Sequence, residues 1–142
     1  MSRRVILAGL LLGAAFALAG CGTGSTVPSS ANLDNGKKLF LSGKDGKPSC
    51  QSCHTLAAAG AFGKTGPNLD DAFAFVRNAP DKGDRFQEST IANVVLDQIR
   101  YPAINVEPAY LMPANLVTGE DAEDVAAYVA SVAGVKTPRA GK

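Results

Sequence analysis

Residues 50–54 read Cys50-Gln51-Ser52-Cys53-His54, two thiols two residues apart with an imidazole beside the second. Such a string serves a structural zinc site, a redox dithiol or a covalent heme seat. Structural zinc wants four ligands, usually two such pairs or a pair plus two histidines. Setting aside Cys21 at the end of the N-terminal apolar run, the chain offers only Cys50, Cys53 and His54. A thioredoxin-type dithiol needs strand-helix-strand surroundings, yet the flanks GKDGKPS and TLAAAGAFGK carry no alternating β-branched strands. The remaining reading is c-type heme attachment. Two thiols on one short helical turn reach the two vinyl groups on one porphyrin edge, forming thioethers, and the next imidazole points back at the iron. His54 is the single histidine, which excludes a bis-histidine heme within this chain.

After the initiator, Met112 is the only methionine. An isolated methionine is usually adaptable core filler. Here it lies in the loop PAYLMPANL, just before a well-marked C-terminal helix, with Pro113 stiffening the chain behind it. A soft thioether suits iron that cycles between ferrous and ferric, and Met/His ligation raises the reduction potential. With His54 and Met112 on the two axial sites the iron only passes electrons. The chain then reads as an electron-transfer protein and not an enzyme. The alternative is an open-site c-type heme enzyme or gas sensor in which Met112 does not ligate; a heme-free structural lipoprotein is a third.

Arg3 and Arg4 open the chain, and Val5 to Ala19 is an unbroken run of apolar and glycine residues. The run is short of the ~20 residues a membrane span needs, so residues 1–20 read as a secretory signal peptide. It ends in Leu18-Ala19-Gly20-Cys21, which resembles the lipobox of bacterial lipoproteins. That resemblance implies lipidation of Cys21 and resolves the odd cysteine count of three. Residues 21–31 read as the lipidated cysteine and a flexible tether reaching about 15 to 20 Å. The expected location is the envelope: an exported domain, lipid-anchored to the outer face of the cytoplasmic membrane or to another envelope membrane. An uncleaved signal anchor would export the domain equally well.

Residues 32–135 are long enough for one domain, and 136–142 read as a tail. Without Arg3 and Arg4, 12 basic side chains face 13 acidic ones. Charge so balanced argues against nucleic acid as a partner. Lys37, Lys38, Lys44, Lys47 and Lys64 cluster around the cysteine motif against Asp45 alone. They are either a docking ring for an acidic redox partner or a solvated lysine face.

At these residues the chain resembles the class I cytochrome c family, in a small monoheme, membrane-tethered bacterial form. The resemblance spans roughly residues 32–135. Besides the CxxCH string, Gly66-Pro67-Asn68-Leu69 looks like the family's Gly-Pro-x-Leu turn. By that resemblance the Pro67 carbonyl accepts a hydrogen bond from the free nitrogen of the proximal imidazole. Gly36 and Phe40 match the family's N-terminal helix, and Tyr128 the partner aromatic of the C-terminal one. The implied fold is all-α: about four short helices wrapped around one covalent heme c with its iron, the terminal helices crossed. The implied partners are a redox donor and acceptor of the respiratory chain, met by a monomer.

The residues support this independently. Asn32 caps a helix through LDNGKKLFLS that stops at Gly43, with Leu33, Gly36, Leu39 and Phe40 on one face. A short helix spans Asp70 to Asn78 with Phe73 and Val76 inward. Ser89 caps TIANVVLDQIRY, whose stripe is Ile91, Val94, Val95 and Ile99, and Pro102 stops it. Thr118 begins the last helix, acidic at its positive end, apolar at Ala122, Val125, Ala126, Val129 and Val132, and ended by Gly134. No strand is expected. The stretch 71–87 reads as loop-rich and matches no family feature. The chain lacks tryptophan, leaving Arg100, Tyr101 and Tyr110 as candidates near a heme propionate.

Overall fold

The computed structural model describes residues 27–79, 83–102 and 112–135. Helix α1, Leu33–Ser42, starts where Asn32 accepts the Asn35 N–H on its side chain at 3.0 Å. It stops at Gly43, whose φ of 69° no β-carbon favours and whose N–H closes on the Leu39 carbonyl at 2.8 Å. Gly36, Leu39 and Phe40 are buried, whereas Leu33, expected beside them, stays exposed in the first turn. After a 3₁₀ turn at Cys50–Ser52 the chain makes two very short strands, β1 at Thr55–Leu56 and β2 at Ala61–Phe62, around a second 3₁₀ turn at Ala57–Ala59. Thr55 pairs with Phe62 and Leu56 with Ala61, antiparallel. The sequence shows no strand here because no alternation produces it: Gly60 at φ 68° reverses the chain, and the buried Leu56 and Ala61 anchor the pair.

Helices α2, Leu69–Arg77, α3, Asp84–Arg100, and α4, Glu120–Val132, complete the fold, so four α-helices dominate the described residues. α2 begins one residue before its expected start, with Asn68 as cap. α3 begins earlier than Ser89, which lies inside it. Arg, Gln and Glu in the run Asp-Arg-Phe-Gln-Glu are good helix formers, and Gln87 is buried with its Nε2 donating to the Ala79 carbonyl at 3.2 Å. The stretch 71–87 is therefore largely helical, and its described loop residues are few. Val94, expected in the apolar stripe, is exposed, and its place is taken by the fully buried Leu96 beside Ile91 and Ile99. α4 begins after Thr118, with Gly119 at φ 59° as its cap. It ends as expected before Gly134, which is left-handed at φ 68°.

α1 and α4 cross with their backbones nearly touching. A β-carbon on Gly36 would sit 2.1 Å from the Asp124 carbonyl oxygen and 2.8 Å from the Tyr128 β-carbon. Phe40 and Tyr128 then meet edge to face, ring centroids 6.1 Å apart at 62°. Asp124, one of the acids in the first turns of α4, is buried. It accepts the Asn32 N–H at 2.7 Å and the Asn35 Nδ2 at 2.8 Å, capping α1 from the other end of the chain. Val27, assigned to the tether, packs against the core, and its N–H reaches Asn93 at 3.4 Å. Arg77 closes the other end of α4: its Nε donates to the Ala133 carbonyl at 3.1 Å, and a second guanidinium nitrogen donates to Ala130.

Two outcomes follow from the crossing. Gly36→Ala should cost about 3 kcal/mol or more, since the added methyl meets backbone that cannot yield. Gly60→Ala, strained in φ but with nothing within 4 Å, should cost about 1 to 2 kcal/mol. Denaturant midpoints compare them. Beside the crossing, Lys44 pairs with Asp121. Hydrogen bonds from Lys44, and then from Asn35, hold the Asp121 carboxyl below its ordinary range. A carboxyl lowered by folding stabilises above its unfolded pKa and loses that contribution as pH falls through the folded one. Lys44→Gln should therefore flatten the drop in denaturant midpoint below about pH 4, modestly, because the pair lies at the surface.

Candidate functional site

The cysteine motif occupies a single tight turn. The Cys53 and His54 N–H groups both close on the Cys50 carbonyl, at 3.2 and 2.9 Å, and the Ser52 N–H on Ser49 at 3.2 Å. Two side-chain bonds fix the turn: Ser52 Oγ donates to the Ser49 carbonyl at 2.6 Å, and Gln51 Nε2 donates to the Leu41 carbonyl at the end of α1. Both thiols are free and partly exposed. Cys50 lies against the main core cluster, and burial pushes its thiol up to about 11.

The segment after β2 wraps this turn. Thr55 Oγ1 donates to the Gly63 carbonyl at 2.8 Å, and the Gly66 N–H donates to Cys53 at 2.8 Å. Both glycines are sterically required. A β-carbon on Gly63 would lie 2.5 Å from the Cys53 carbonyl carbon, and one on Gly66 would lie 2.5 Å from the His54 ring. His54 Nδ1 lies 2.9 Å from the Pro67 carbonyl oxygen. A carbonyl only accepts, so Nδ1 carries the proton and Nε2 is left with a lone pair. Two cysteine sulfurs on one turn, one of them against the core, and one oriented imidazole fit covalent heme. A zinc site does not fit: among the described residues no three of His, Cys, Asp or Glu are grouped to hold a metal ion.

The structure thus brings Cys50, Cys53, His54 and Pro67 together. Met112 is half-buried and packs against the same core cluster as Cys50. Arg100 pairs with Glu123 at 3.4 Å, and Tyr101 is 78% exposed. Tyr110 and Cys21 lie outside the described residues. Sequence reasoning overlooked Gly63, Thr55, Gln51 and Asp70. Asp70 bridges the motif's flank to the end of α4, accepting Ala57 N–H at 2.8 Å on one oxygen and Gly134 N–H at 3.4 Å on the other. Only the glycine spacing after the motif was a visible signal for this wrapping.

Comparison with known proteins agrees with the geometry. The family model described as Cytochrome c matches residues 33–133. Among solved structures, the c-type cytochrome SorU from Sinorhizobium meliloti is 36% identical, over 72% of this chain and 91% of SorU, with a TM-score of 0.50. No curated protein matches the sequence. A cysteine-cysteine-histidine turn with its imidazole oriented by Pro67, inside a helical fold matched along most of its length, places the chain in the cytochrome c family, electron carriers with covalently bound heme c and its iron.

Proposed function

We propose that this protein is a class I, membrane-tethered one-electron carrier in which His54 and Met112 are the axial ligands of a single heme. It passes electrons between respiratory-chain components without catalysing a reaction of its own. The observation that carries this reading is the 2.9 Å bond from His54 Nδ1–H to the Pro67 carbonyl. It fixes the ring's tautomer and plane and raises the basicity of Nε2. Heme c, when bound, supplies a ferrous–ferric couple. The chain's own part is to hold that couple still and dry. Cys50 and Cys53 supply the sulfurs for attachment, and Gly66 packs on the imidazole face. Leu56, Leu96, Ile99 and Val117 contribute to a closed apolar core beside the turn. Met112 meets that core at the start of the segment leading into α4, where a thioether raises the reduction potential.

The anchor rests on Cys21 and the lipobox-like residues before it, which lie outside the described residues. Among the described residues no helix is long and apolar enough to cross a membrane. The domain faces the outer side of the cytoplasmic membrane or another envelope membrane, as a monomer. All five lysines near the motif are exposed, and Lys44 and Lys47 are also bonded to Asp121 and to the Asn115 carbonyl. They supply the positive charge for steering an acidic redox partner.

Met112→Ala should abolish the sulfur-to-iron charge-transfer band of the ferric holoprotein. It should also lower the reduction potential by at least about 59 mV, a tenfold loss of preference for the reduced form, and admit cyanide or carbon monoxide rapidly. A native protein that already binds these ligands rapidly and lacks the band is instead an open-site enzyme or sensor. Cys21→Ser should move the protein from the membrane pellet to the soluble fraction, because stable anchoring needs at least two acyl chains. Retention in the pellet would favour the uncleaved signal anchor.

A further inference from the structure

The chain leaves α1 through a turn in which Gly43, Asp45 and Gly46 are all left-handed, at φ 69°, 52° and 74°. The Lys47 N–H closes it on the Lys44 carbonyl at 2.9 Å. There is no slack: a β-carbon on Gly43 would lie 2.5 Å from the Lys47 carbonyl oxygen. Lys47 is thus fixed at its root, three residues before Cys50. Its ammonium donates to the Asn115 carbonyl at 2.8 Å, across 68 positions of chain. Asn115 stands three residues after Met112. It is left-handed at φ 55°, a conformation that asparagine adopts more readily than other residues with a β-carbon. Its N–H donates to the Ile99 carbonyl at 2.8 Å, one of the last carbonyls of α3, which lack helical partners. Leu116 and Val117 are buried immediately beyond.

We propose that Lys47 is a positioning residue that latches the loop bearing Met112 to the loop bearing Cys50, keeping the thioether in place and external ligands out. The inference rests on the reading of Met112 as an axial ligand. Lys47 is exposed, so its bond adds little to global stability. Its effect falls on local opening of the Met112 segment, which proceeds without unfolding the helices. A lysine that merely faces solvent would leave that opening unchanged.

The test is imidazole binding to the ferric holoprotein. Lys47→Met keeps the aliphatic stem and removes the donor. It should raise the apparent imidazole affinity by about three- to tenfold, the weight of one such hydrogen bond, with the denaturant midpoint little changed. Lys47→Arg retains a donor and should return the affinity toward wild type. Lys38→Met removes the same charge from α1 and should leave the affinity unaltered. Wild-type affinity in Lys47→Met, or an equal rise in Lys38→Met, overturns the latch. If the native protein also lacks the sulfur-to-iron band and Met112→Ala leaves its spectrum unchanged, the ligand reading falls and takes the latch with it. A band present together with unmoved imidazole affinity overturns the latch alone.

Discussion

The backbones of α1 and α4 meet at Gly36 and Asp124, and the cysteine turn, Pro67 and Met112 all lie on the chain between them. With those ends locked, the cysteine turn, its wrapping loop, α2, α3 and the Met112 segment form one closed excursion whose closure entropy is met once, at the crossing. The contact is dense because a hydrogen atom occupies the place of a side chain at position 36. It is also polar at its heart. A buried carboxylate without partners would be costly, and Asp124 avoids this by accepting the Asn35 side-chain amide and the Asn32 N–H, a backbone group that α1 needs satisfied in any case. One side chain thereby solves two problems, its own burial and the open N-terminus of another helix.

The site itself is organised mainly by backbone. Carbonyls of Cys50, Ser49, Cys53 and Gly63 take the bonds that fix the turn and its wrapping, and the Pro67 carbonyl takes the imidazole proton. Proline has no N–H to lose and a restricted φ. The acceptor that orients His54 is therefore presented by a stiff piece of chain. Glycines at 63 and 66 let this strand of backbone lie directly on the turn and on the ring. The imidazole is held on one nitrogen and from one face, leaving the other nitrogen as the group that can bind a metal.

What could be read in the sequence was whatever local rules decide. The Asn32 cap, the Gly43 stop and the Gly134 stop are properties of a few neighbouring residues. The cysteine motif is legible because its chemistry demands its spacing. The start of α3 was not, because Ser89 is a good cap by composition while Gln87, buried and tied to Ala79, draws the helix further back. Asp124 looked like one more acid at a helix start, and only the crossing helix makes it a buried acceptor. Val94 and Leu96 exchanged roles because a stripe read at helical spacing fixes its phase only when the packing neighbour is known.

The same distinction applies to the lysines, which composition treats as one basic cluster. Lys44 is paired with Asp121, and Lys47 is bonded to the Asn115 carbonyl. Each spends its donors inside the molecule, so its charge is partly compensated or held in place. Lys37 and Lys38 stand exposed on α1, and Lys64 lies between the two glycines that wrap the cysteine turn. Long-range attraction depends on charges that remain uncompensated and near the surface. On the proposed reading, steering of an acidic partner toward the site therefore falls on Lys37, Lys38, Lys47 and Lys64, while the charge of Lys44 is offset by Asp121.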